Sequence, residues 1–265
     1  MYRGSWAINS RFSTPNDFKT LLFLIEDECC APDYEAFAQA ERRFGEDAIF
    51  RGGLPSEPMQ ALVSGNFFGT EHFCIEWMDH RDEMLKLFEA RVRKNREQYE
   101  LVARAPALHF NMGGNVVPEI ISPEMFQTYY LPHYNEAAEV LHRHGKLIGC
   151  HFDANCRLFS KAIAGTALDY IEAFTPAPDT DMTLGEARRA WPDKVIWMNY
   201  SSSVHLRPDQ EVRKFAVDLL NQADTVDGLI MGITEDIPLD RWQASCTAIM
   251  DGLDCHAREK PSLYR

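Results

Sequence analysis

KLIGCHFDANCRLFSKAIAGTALDYIEAF, residues 146–174, carries the pattern that decides the fold. KLIGCHFDA (146–154) is apolar through Cys150 and turns polar at His151 and Asp153. A short helix is expected over 156–164, closed by Gly165. LDYIEAF (168–174) is the next strand. Two apolar strands joined by a helix form a βαβ unit, with parallel strands covered on both faces.

The same alternation runs outward in both directions. On the amino-terminal side, Thr14 caps a helix with Pro15 at its first position, through DFKTLLFLIEDE. A second helix spans about 32–44 and ends at Gly45. DAIFRGG (47–53) is a strand leaving into a glycine loop. Residues 81–104 form a long amphipathic helix, and ALHFNMGGN (107–115) is the next strand and loop. Ser122 caps a helix that bends near Pro132 and stops at Gly145. On the carboxyl-terminal side, TLGEARRAW (183–191) is a helix with a Thr183–Glu186 capping box. KVIWMNYSS (194–202) is a strand, 208–222 a helix and GLIMGITED (228–236) a strand. Asp240 caps a last helix to about Leu253.

Six strands alternating with helices predict an α/β fold, best fitted by a TIM-type (β/α)8 barrel as one domain over 1–265. A doubly wound open sheet is the second choice. Two strands are missing from the count. SWAIN (5–9) supplies one, or the chain lacks an N-terminal segment that longer relatives possess.

The formal net charge is -13, which disfavours a polyanion partner such as nucleic acid. No stretch approaches the ~18 apolar residues of a membrane span, and the N-terminus lacks a signal peptide's apolar core. The seven cysteines form no CxxC pair, so reduced thiols and a cytoplasmic location are expected. A homodimer is compatible with all of this.

In such folds ligands bind beyond the carboxyl ends of the strands. The polar residues there are Asn111 and Asn115, His151 and Asp153, Glu172, Asn199 with Tyr200, and Thr234, Glu235 and Asp236. One imidazole among several carboxylates suits a divalent metal such as zinc. His151, Asp153, Glu172 and Glu235 are the candidate ligands, and His151, Glu172 and Glu235 the candidate catalytic groups. Asn111, Asn199 and Tyr200 would orient a small-molecule substrate. Each has a plainer reading as well. His151 is otherwise a buried, hydrogen-bonded histidine, and Asp153 the cap of the helix near Cys156. Cys156 reads as a structural thiol, His142 and His144 as surface residues, and His205 as a loop residue that either meets substrate or does not.

ISPEMFQTYYLPHYNEAAEVLHRHGKLIGCHFDANC (121–156) resembles the signature region of the uroporphyrinogen decarboxylase superfamily. There a Ser-Pro-Glu helix start and a Pro-containing helix precede His-Gly, a strand and a histidine. A weaker likeness extends from STPNDFKTLLFLIEDE to GITEDIPLDRW. The resemblance implies the barrel and two kinds of activity: porphyrinogen decarboxylation, and zinc-dependent methyl transfer involving corrinoid proteins. The N-terminal arginine motif of the decarboxylases has no counterpart in MYRGSWAINSRFS. Where the thiol-directed methyltransferases carry His-x-Cys, this chain has His151-Phe152-Asp153, and its late strand ends in Thr234-Glu235. This looks closer to the corrinoid-linked O-demethylase methyltransferases, whose zinc sites are carboxylate-rich.

The expected function is therefore methyl transfer from a small methylated substrate, such as a methyl ether, to a corrinoid protein, with zinc polarising the leaving oxygen. The alternative is a metal-free decarboxylase or lyase acting on a polycarboxylate, for which Arg51 is the one strand-end arginine. A third is a non-catalytic ligand-binding barrel, favoured if His151 and Glu172 lie beyond roughly 5 Å of each other, too far to share an ion with bonds near 2.0–2.2 Å.

Overall fold

The computed structural model describes residues 10–114, 116–233 and 237–264. SWAIN, Asn115 and Thr234-Glu235-Asp236 lie outside the described residues. Internal contacts divide the chain into two compact units, Met1–Ile148 and Gly149–Arg265.

The first unit is mostly helical. Its elements are α1 (Phe18–Glu26), α2 (Tyr34–Phe44), β1 (Arg51–Gly53), α3 (Pro58–Val63), α4 (Gly69–Asp79), α5 (Arg81–Ala103), β2 (His109–Met112), α6 (Pro123–Tyr129) and α7 (Leu131–Arg143). α5 is the long amphipathic helix, burying Met84, Leu87 and Tyr99. Ser122 caps α6 as expected, its hydroxyl accepting from Met125 N–H at 3.1 Å. The bend predicted at Pro132 is a break at Tyr130, whose φ of -120° lies outside the helical range. Proline lacks the N–H that would carry the helix across that point. α3 and α4 are short helices that the sequence pattern did not separate from loop.

β3 (Leu147–His151) crosses the boundary between the units. The second unit continues with α8 (Ser160–Ala164), β4 (Tyr170–Phe174), α9 (Leu184–Ala190), β5 (Val195–Asn199), α10 (Asp209–Leu220), β6 (Leu229–Gly232) and α11 (Trp242–Glu259). The six predicted strands all form, in sequential order in one sheet, and β1–β2, β3–β4, β4–β5 and β5–β6 pair in parallel. The fold is thus mixed α/β with a six-strand parallel sheet. No helix among the described residues is long and apolar enough to cross a membrane.

Two boundaries differ from expectation. The β1 strand is RGG alone, so Arg51 opens it and Gly53 is its carboxyl end. α11 starts at Trp242 after Arg241 rather than being capped by Asp240, and it runs on to Glu259. Gly252 does not end it. A Cβ there would lie 2.8 Å from the carbonyl oxygen of Arg213 on α10, so glycine permits the close approach of the two helices.

In the second unit, partners across parallel strands share a face of the sheet. Gly149 pairs with Tyr170, and His151 with Glu172. Glu172 pairs in turn with Trp197, and Trp197 with Ile230. On the opposite face Phe174 packs edge-on against Trp191, with ring centroids 5.6 Å apart. Gly149 leaves the space that the Tyr170 ring fills. We expect Gly149→Ala to destabilise the protein by about 1–3 kcal/mol through overpacking. Urea unfolding measures this, and adding Tyr170→Val should recover part of the loss.

Candidate functional site

Register brings His151 and Glu172 together, because they are direct partners across β3 and β4. The His151 Nδ1 and Glu172 Oε2 atoms are 2.6 Å apart. The Glu172 side chain is only 3% exposed. An acid so deeply buried is costly unless paired, and the imidazole is a partner in hydrogen-bond contact. The ladder continues one residue past β3, where Phe152 N–H donates to the Glu172 carbonyl at 2.9 Å.

Asp153 comes from the loop beyond the strand. Its Oδ2 lies 3.2 Å from His151 Nε2. Glu172 and Asp153 therefore approach opposite nitrogens of one ring. On a regular strand, residues two apart would point the same way. β3 ends at His151, and the turn that follows carries Asp153 round to the outer edge of the imidazole. The expected ligands His151, Asp153 and Glu172 thus do not converge on a point. Among the described residues no group of three or more His, Cys, Asp or Glu could hold a metal ion. Glu235, the fourth expected ligand, lies outside the described residues.

The Asp153 loop is fixed from below. The Asp181 carboxylate accepts from the N–H groups of Cys156 (3.0 Å) and Arg157 (3.3 Å). Arg157 also pairs with Glu186 at 2.9 Å, and Glu186 closes the predicted capping box with Thr183. The Arg157 guanidinium, with the Thr183 hydrogen bonds, pulls the Glu186 carboxyl down to about 2. Cys156 is buried, its thiol donating to the Ala154 carbonyl at 3.1 Å. Burial, with Asp181 and Asp153 nearby, pushes that thiol far above its ordinary range, so it stays protonated and structural.

The expected substrate residues are held by hydrogen bonds within the protein. Asn199 is fully buried, its Nδ2 donating to Thr175 Oγ1 at 3.2 Å. Tyr200 is also fully buried, its hydroxyl donating to the Val212 carbonyl at 2.7 Å and its ring meeting Phe215 edge-on. These two side chains brace β5 against its neighbours, and as arranged neither reaches a surface that a substrate could touch. His205 is likewise buried, its Nδ1 2.5 Å from Ser245 Oγ. His142 and His144 are exposed, as expected. Asn111 is half-buried on β2 in the first unit, with its carbonyl accepting from Leu54 N–H at 2.9 Å. Arg51 stands at the amino end of β1 and so is not the strand-end cation that a polycarboxylate site would need.

Two residues escaped the sequence reading. Trp197 lies half-buried in the same row as His151 and Glu172, its indole over Gly232, where a Cβ would come within 2.6 Å of Nε1. The alternation within VIWM, with Ile196 and Met198 buried on the other face, was the available signal. In the first unit Glu57 is fully buried and accepts the Tyr134 hydroxyl at 2.6 Å. Its carboxylate occupies the space a side chain would need at Gly113, which has a left-handed φ of 62°. No local pattern marked that acid.

Electrostatically, His151 is dominated by its two neighbours. Burial opposes the charged ring, but hydrogen bonds and charges from Asp153 and Glu172 outweigh it and push the imidazole up to about 10. A ring raised above its unfolded value of roughly 6.5 contributes stability that is fully present below that pH. The contribution is lost as pH rises toward 10. In chelator-treated protein, 15N NMR of the His151 ring should show a midpoint far above 6.5. Glu172→Gln and Asp153→Asn should each lower it. Tyr200→Phe should cost about 1 kcal/mol in urea unfolding and leave that midpoint unmoved.

No protein-family model and no curated protein matches this chain.

Proposed function

We propose that this chain is an enzyme of the uroporphyrinogen decarboxylase-like kind, a zinc-dependent methyltransferase built on a closed (β/α)8 barrel. It would take a methyl group from a small methylated substrate, such as a methyl ether, and pass it to a corrinoid protein. The observation that carries this reading is the two-sided environment of His151. Glu172 sits on Nδ1 and Asp153 beside Nε2.

A histidine whose inner nitrogen donates to a buried carboxylate is held in one tautomer, with its outer nitrogen free of its proton and more basic. Glu172 has the position for that backing role. In this reading Glu172 serves behind the ring and not as a ligand beside Asp153. The Nε2–Oδ2 spacing of 3.2 Å suits two neighbouring donors of one ion with bonds near 2.0–2.2 Å. His151 and Asp153 would then hold zinc, with Glu235 as the expected third ligand. When bound, zinc would supply Lewis acidity to the substrate oxygen that keeps the electron pair as the methyl group departs. The side chain of Trp197, in the same row, would exclude water from one flank. The resemblance of residues 121–156 supports the same reading.

One observation favours the second reading, a metal-free lyase acting on a polycarboxylate. Without metal, the doubly hydrogen-bonded His151 is an imidazolium at neutral pH, pushed up to about 10. It would serve as a fixed cation and proton donor.

Elemental analysis of protein purified without chelator separates the two. We expect zinc near one equivalent per chain, recovered after stripping and reconstitution. Asp153→Asn and His151→Ala should abolish it, and Glu172→Gln should weaken zinc binding about 10–100-fold. Absence of bound metal, with none recovered on reconstitution, would overturn the methyltransferase reading in favour of the lyase.

A further inference from the structure

Ala173 follows Glu172 in the middle of β4 and is fully buried. Its φ is 56°, the one positive value at a residue other than glycine among the described residues. Left-handed backbone presses an alanine Cβ toward the next carbonyl oxygen, which is why glycine normally occupies it. The strain coincides with a break in register. Glu172 pairs with Trp197 and Phe174 with Met198, so Ala173 is one extra residue opposite a continuous neighbour. That is a β-bulge, which bends its strand and re-aims the adjacent side chain.

The ladder does not need this residue. Trp197 and Met198 are consecutive, so β4 would pair without interruption if Ala173 were absent. Phe174 would still fall on the face where it packs against Trp191. A strained extra residue that pairing and packing do not require points to the group beside it. That group is Glu172, whose carboxylate must reach sideways to Nδ1 of His151 on the neighbouring strand.

We propose that Ala173 is a positioning residue, its left-handed bulge turning the Glu172 carboxylate onto Nδ1 of His151. The role concerns the pair itself and goes beyond the choice between methyl transfer and lyase chemistry.

The test uses the full chain and reads the pair without metal or substrate. In 15N-histidine-labelled protein, the Nδ1–H of His151 in a hydrogen bond this short gives a far-downfield proton resonance, assigned by its loss in His151→Gln. Ala173→Gly should keep that resonance and leave the melting temperature unchanged or higher, because glycine adopts the left-handed conformation freely. Deletion of Ala173 should leave cooperative unfolding intact while the downfield resonance disappears. Should the deletion not fold, Ala173→Val, which resists positive φ, should lose the resonance in its place. A deletion or valine variant that keeps the resonance unshifted overturns the proposal. So does a lower melting temperature for Ala173→Gly, the outcome for an ordinary strand position. Because zinc content plays no part, failure of the methyltransferase reading and failure of this proposal give different results.

Discussion

Glu172 is a carboxylate almost wholly withdrawn from water, and the arrangement around it follows from its need for a partner. Stripping an ion of solvent costs several kcal/mol, and a buried acid left without its partner costs about 3–5 kcal/mol. His151 answers that need through the register of β3 against β4. Once Nδ1 is committed inward, the ring cannot rotate without breaking the pair. Its outer nitrogen is then held toward Asp153. The histidine's two edges thus have different work. One satisfies the buried acid, and the other is presented at the strand ends.

The rest of the second unit keeps that geometry still. Asp181, Arg157 and Glu186 tie the loop carrying Asp153 to the start of α9. Asp179 does similar work between the loops after β4 and β5, accepting from Ser203 N–H at 3.0 Å. Asn199 and Tyr200 pin β5 from inside. Each of these polar groups is satisfied by a neighbour on a different loop, strand or helix, so the strand ends are tied into one connected frame.

Much of the frame was legible in the sequence. Apolar runs between helices located β2 to β6, while at β1 the run AIF only precedes the paired residues RGG. Ser122 and Thr183 announced their helices because capping is a contact between residues three apart. His151 and Glu172 stood out because polar side chains at the ends of apolar runs need a reason. These are signals of local spacing, and local spacing is what periodicity reports.

Tertiary structure decided what each side chain does. Whether Asp153 stands beside Glu172 or opposite it depends on where β3 stops and how the loop turns, which Asp181 controls from more than twenty residues away by holding Cys156 and Arg157. Asn199, Tyr200 and His205 look like site residues by position, yet helices packed over β5 bury them completely. Arg51 changed ends when only RGG paired with β2. Trp197 joined the row through register, and the bulge at Ala173 is visible only as a mismatch between two strands. The sequence by itself determined the alternating α/β order and the identity of the central pair. Burial, register and loop direction set the roles, because each depends on neighbours brought together only by the fold.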